Sequence, residues 1–205
     1  MDKQKLVKGF LYTLRLILGI LLLPVVYGVI VNLLSQFFTI NQLALNYLLT
    51  GVSVFLALYL FVWEPAIIYK KGQRVLEIIF KFFAPLVKTA PYVLPVYLIL
   101  VSLIYFILAN FIKSEYLLYY TLSVLGFTGM LHLVFTAQVL KPKQWDYAKI
   151  TNYIFSFSLI FIMDLWLFGY IFSHMVDNFS FLSLFNGSLQ MARDIYKAIF
   201  NQLFL

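Results

Sequence analysis

Five long apolar stretches constrain what this chain of 205 residues can fold into. They run from Lys8 to Phe37, Leu43 to Tyr69, Tyr92 to Ile112, Tyr116 to Leu140 and Ile150 to His174. A helix of about 20 mainly apolar residues crosses the hydrocarbon core of a bilayer, roughly 30 Å thick. Inside that core, backbone polar groups must find partners within the protein, which restricts spanning segments to helices or closed barrels. Each stretch therefore reads as a spanning helix. The expected fold is all-α: a polytopic membrane helix bundle of five transmembrane helices with interfacial amphipathic helices. Composition agrees, with 63% hydrophobic and 11% charged residues against roughly 45–50% and about 25% in soluble domains.

The first stretch is too long for a signal peptide and no small-x-small cleavage site follows it, so it reads as an uncleaved span. The absence of cysteine excludes disulfides, thiolate catalysis and Cys-ligated metal centres. The formal charge of +7 does not mark a nucleic-acid binder, because the bases are spread along juxtamembrane connections. The expected surroundings are the lipid bilayer and another membrane or envelope protein, or a second copy of the chain. No cofactor is implied.

Charge also gives an expected orientation. Lys3, Lys5, Lys8, Lys70, Lys71, Arg74, Lys81, Lys88, Lys141, Lys143 and Lys149 fall on one side of a five-span topology, and Lys113, Arg193 and Lys197 on the other. Eleven against three predicts a cytoplasmic N-terminus and an outer C-terminus, in a bacterial inner membrane. Two segments read as amphipathic. Over residues 74–88, Arg74, Glu77, Lys81 and Lys88 recur at helical spacing, which describes an interfacial or shallow re-entrant helix with snorkelling lysines. Near the C-terminus, Leu189, Ala192, Ile195, Tyr196, Ile199 and Leu203 form a stripe opposite Gln190, Arg193, Asp194, Lys197 and Gln202, with Ser188 as the expected cap. The expected division is a five-span domain over residues 1–177 and an outer-side amphipathic helix within 178–205.

Ionisable residues inside spans are candidates for function, because hydrocarbon penalises them. Asp164 stands roughly 21 Å into the fifth stretch, too deep to snorkel easily. It reads as a proton or cation site, as one member of an interhelical pair, or as a protonated carboxylic acid. His132 lies on a face with Gly126, Thr128, Gly129, Thr136 and Gln138, suited to a relay or to close helix packing. Arg15 is expected to pair with a neighbour or to snorkel. The chain contains no His-Glu-x-x-His, Walker A, GxGxxG or Gly-x-Ser-x-Gly sequence.

One set of short motifs carries a family likeness: Ala90-Pro91-Tyr92-Val93-Leu94-Pro95-Val96-Tyr97, Gly126-Phe127-Thr128-Gly129-Met130-Leu131-His132, Gln144-Trp145-Asp146 and Phe155-Ser156. In this order, over about residues 55–170, the chain resembles bacterial membrane proteins similar to the site-2-protease (M50-type) intramembrane metallopeptidases. Where that resemblance implies a zinc motif, this chain reads Gly72-Gln73-Arg74-Val75-Leu76-Glu77. Gln73 and Glu77 would replace two histidine ligands, and Arg74 the catalytic glutamate. A guanidinium repels a metal ion and cannot serve as a general base near neutral pH. The resemblance therefore implies a pseudoenzyme-like relative, and His132 and Asp146 carry over with no catalytic role.

Three functional expectations follow. The first is a non-catalytic membrane subunit or scaffold of an envelope complex. The second is a proton- or ion-coupled transporter or channel component using Asp164 and His132. The third is an atypical metallopeptidase with Glu77, His132 and Asp146 as ligands.

Overall fold

A computed structural model describes residues 3–62, 66–79, 93–142 and 146–204. Among these, seven α-helices and no strand are formed. They are α1 (Lys3–Phe37), α2 (Gln42–Ala57, widening into a π-helical turn over Leu58–Val62), α3 (Ala66–Ile79), α4 (Val96–Leu108), α5 (Glu115–Leu140), α6 (Tyr147–Ser173) and α7 (Phe181–Phe204). Four are long and apolar enough to cross a membrane: Gly9–Phe37, Gln42–Phe61, Glu115–Leu140 and Ala148–Ser173. The protein is an integral membrane protein built as a helical bundle.

The helices form two groups. In one, α1 lies along both α6 and α7; in the other, α2 packs on α5, with α4 and α3 against the same helix. Contact between α5 and α6 joins the groups. A shared core of Leu33, Leu48, Leu122, Leu125, Phe172 and Leu184 fuses them at the end where α1 turns into α2 and α6 into α7. The second core, Phe55, Tyr69, Leu131 and Phe135, belongs to the α2–α5 group alone. The opposite end holds the α5–α6 connection, with Lys141 and Lys149, and the start of α1. These are called here the closed end and the basic end.

Between helices that lipid solvates, close approach matters more than hydrophobic burial. The α2–α5 pair shows how the sequence allows it. A Cβ on Gly126 would overlap the carbonyl oxygen of Leu48, and one on Gly51 that of Ser123. Ser123 Oγ then donates across the seam to the Tyr47 carbonyl oxygen at 2.8 Å.

Several expectations need correction. The second span ends in the turn over Leu58–Val62, so Tyr69 belongs to a separate helix, α3. The third span is not a full crossing among the described residues. α4 has 13 residues, about 20 Å, and begins near the middle of the bundle. Pro95 occupies its N-cap position, and Asn110 Nδ2 donates to the Phe106 carbonyl oxygen at its other end, closing the helix early. Of the interfacial helix expected over 74–88, residues 74–79 form the last part of α3, and 80–88 lie outside the described residues.

The C-terminal helix does not rest on an outer surface. Ser180 N–H donates to Gln36 Oε1 at 2.8 Å, fixing the α6–α7 turn to the closed end of α1. From there α7 runs antiparallel along α1, with Ser188 against Gly28 and Tyr196 hydroxyl donating to the Leu21 carbonyl oxygen. The C-terminus thus returns toward the basic end, and α7 closes the bundle as part of it. Ser188 is fully buried inside the helix; Ser180 Oγ accepts from Ser183 N–H at the helix start instead. The buried seam is Leu184, Ser188 and Ala192, while Leu189, Ile199 and Leu203 of the expected stripe stay exposed. Small residues win the seam because α1 approaches too closely at Gly28 for larger ones.

Candidate functional site

The two groups of helices meet through an acid and a base. His132 on α5 and Asp164 on α6 each lie within roughly 7 Å of their helix midpoints along the axis, and His132 Nε2 stands 3.3 Å from Asp164 Oδ2. Both side chains are about 5% exposed. The contact has ion-pair distance without hydrogen-bond alignment, and neither Asp164 oxygen accepts a hydrogen bond among the described residues. A second contact joins His132 to α3: its Nε2 lies 3.4 Å from Thr136 Oγ1, which in turn shares a hydrogen bond of 3.0 Å with the Tyr69 hydroxyl.

Two small cavities flank the imidazole. One, about 40 Å³, is bordered by Asp164, His132, Gly129, Pro95, Leu98 and Phe168. The other, about 10 Å³, is bordered by His132, Thr128, Tyr69, Gln73 and Tyr97. A cavity needs on the order of 10–15 Å³ of this kind to hold one water, so the first has room for water and the second barely so. The first turn of α4, with N–H groups lacking intrahelical partners and the positive end of the helix dipole, borders the Asp164 cavity. A short helix starting in mid-bundle thus faces the carboxyl group. Tyr97, in that turn, donates its hydroxyl to the Ile68 carbonyl oxygen at 2.7 Å and locks α4 to α3.

The remaining candidates separate. Arg15 Nη1 donates to Asn152 Oδ1 on α6 at 2.5 Å, the expected pairing with a neighbour. Gln73 reaches the His132 cavity, but Arg74 and Glu77, on the same helix, face outward. Asp146 caps α6: its Oδ1 accepts from Lys149 N–H at 2.8 Å and its Oδ2 pairs with Lys149 Nζ at 2.9 Å. The Lys149 ammonium and amide together hold this carboxyl below the usual carboxylate range. Glu77, His132 and Asp146 therefore do not assemble into a ligand set, and no group of three His, Cys, Asp or Glu side chains converges among the described residues.

Sequence reasoning found Asp164 and His132 separately and missed that they meet. The signal was available: each needs a polar partner in hydrocarbon, and they are the only acid and histidine deep inside the expected spans. Tyr69 was missed because the expected second stretch runs on to residue 69, past Glu64-Pro65, which themselves read as closing that span. No protein-family model, curated protein or solved structure matches this chain, so the site rests on its own geometry.

Proposed function

We propose that this protein is a non-catalytic membrane subunit or scaffold that associates with another membrane or envelope protein, or with itself, through the outward face of α7. The observation that carries this reading is the depth of that face. Ser188 lies abreast of Gly28 and Tyr196 abreast of Leu21, so Arg193 and Asp194 stand level with about the middle of the Gly9–Phe37 span. Asn186, Gln190, Arg193, Asp194 and Lys197 are all exposed. Lipid contact at that depth costs about 2.5–3.5 kcal/mol for each charged residue on insertion scales. A partner helix offering hydrogen bonds and opposite charges removes that cost. A groove of about 500 Å³ between α1 and α7, bordered by Asn32, Gln190, Met191, Asp194 and Ala198, offers a seat for it.

The surplus of lysine at the basic end supports a bacterial inner-membrane location with that end and the N-terminus in the cytoplasm. Because α7 returns along α1, Arg193 and Lys197 no longer count against this orientation.

The test is a photo-reactive side chain at Gln190, with Ile104 on the lipid-facing side of α4 as the control; Ile104 is exposed. Illumination in native membranes gives one defined protein adduct from position 190 and none from 104. Equal lipid-only products at both positions refute the reading.

A second reading, proton- or ion-coupled transport, is favoured by a specific observation: Asp164 is buried, has no aligned donor, and borders a cavity at the start of a half-length helix. Broken helices at mid-membrane are recurrent features of transporter sites. The M50-type resemblance would add a zinc chemistry lost at Gln73, Arg74 and Glu77; stoichiometric zinc in the purified protein contradicts that addition.

A further inference from the structure

A crevice at the basic end, distinct from the His132–Asp164 contact and from the α7 face, has the chemistry of a headgroup site. It lies between the last turn of α5 and the first turns of α6, has a volume of about 300 Å³, and is bordered by Lys141, Lys149, Asn152, Tyr153 and Ser156. Val139, Leu140 and Pro142 form its apolar wall. Arg15 reaches the same place from α1 through its hydrogen bond to Asn152. Two ammonium groups, that of Lys141 just after α5 and that of Lys149 in the first turn of α6, therefore border the opening, and the Arg15 guanidinium is tied to its wall through Asn152. Among the described residues the acidic group in contact with them is Asp146, which takes one interaction from Lys149 Nζ. An ammonium has three N–H donors, so Lys149 retains capacity for a second acceptor.

Position decides which anion fits. The candidate spans end at Leu140 and begin at Ala148. Each holds 26 residues, about 39 Å of helix against a hydrocarbon core of roughly 30 Å. Their basic ends therefore reach the depth of phospholipid phosphates. At that depth the ammonium groups of Lys141 and Lys149 offer a phosphodiester both charge and hydrogen bonds; Ser156 borders the crevice about 10 Å deeper along α6, and the Val139–Leu140 wall lies on the side where acyl chains run. Free phosphate would use the same cations but not the apolar wall.

We infer that this crevice binds the headgroup of one anionic phospholipid, with its phosphate between Lys141 and Lys149. Native mass spectrometry of the full chain in micelles, titrated with phosphatidylglycerol and with phosphatidylcholine of the same acyl chains, tests it. Each lysine near a membrane surface contributes about fivefold to anionic lipid binding, so the pair contributes about 25-fold. The wild-type protein retains one phosphatidylglycerol in preference to phosphatidylcholine, and Lys141→Gln with Lys149→Gln loses that preference. Lys70→Gln with Lys71→Gln, the same change in charge on α3, keeps it. Ser156→Phe, which fills the crevice and leaves the charge unchanged, loses the bound lipid as well. Unchanged preference in the Lys141/Lys149 variant, equal loss in the Lys70/Lys71 variant, or displacement of the lipid by millimolar inorganic phosphate overturns the inference.

Discussion

Two sets of ionisable residues stand at mid-bundle depth in this protein, and they are treated in opposite ways. His132 and Asp164 are turned inward and meet each other across α5 and α6 at 3.3 Å, nearly free of exposure. Arg193, Asp194 and Lys197 are turned outward from α7, abreast of a helix apolar enough to span a membrane. Hydrocarbon penalises charge in both places. The first set stands in contact within the chain, and so joins its two halves. The second finds no such contact among the described residues, and on the proposed reading a partner supplies it. The contrast separates a pair held inside the fold from a set that the proposed reading gives to assembly.

Substitutions can break each side of this contrast. The largest effect is expected from Gly28→Leu, because the added side chain meets the backbone of Ser188, which cannot turn aside. Overpacking of this kind costs about 3 kcal/mol, and α7 detaches from α1, measured as lost thermal stability in detergent and new protease cleavage within 181–204. Next comes Asp164→Leu, which leaves His132 without its acidic neighbour. Removing one member of a buried pair costs about 3–5 kcal/mol in soluble proteins, whereas polar contacts between membrane helices reach at most about 1.7 kcal/mol. A loss of about 2 kcal/mol is expected. The double variant His132→Leu with Asp164→Leu recovers most of it, since two apolar groups need no partner; a double variant as unstable as the sum of the singles shows that the contact does not join the halves.

The membrane fold was largely legible because hydrophobic length is a local property. Runs such as Tyr116–Leu140 and Ile150–His174 needed no tertiary information, and α5 and α6 follow them within a few residues. What the sequence concealed were breaks and returns. Glu64-Pro65 read as closing the second span although the expected stretch runs to residue 69, and Pro95 read as a kink or an end without saying that α4 begins in mid-bundle. The stripe on α7 was real as a pattern, but pattern alone cannot say which surface it meets. Gly28 and Ser188, 160 positions apart in the chain, decide that seam. The pairing of His132 with Asp164 was hidden for the same reason: need for a partner is local, and its identity is not.

The smallest expected effect on stability is also the most informative. Arg193→Gln, Asp194→Asn and Lys197→Gln together touch only exposed side chains, so the isolated chain changes by less than about 0.5 kcal/mol. On the proposed reading this face is covered in the membrane. Native mass spectrometry of wild-type and triple-variant protein, extracted gently from their own membranes, tests it most directly. A reproducible protein mass added to the wild-type chain, either a partner or a second copy, and its loss from the variant are expected. A bare chain in both, or the same added mass in both, contradicts that reading.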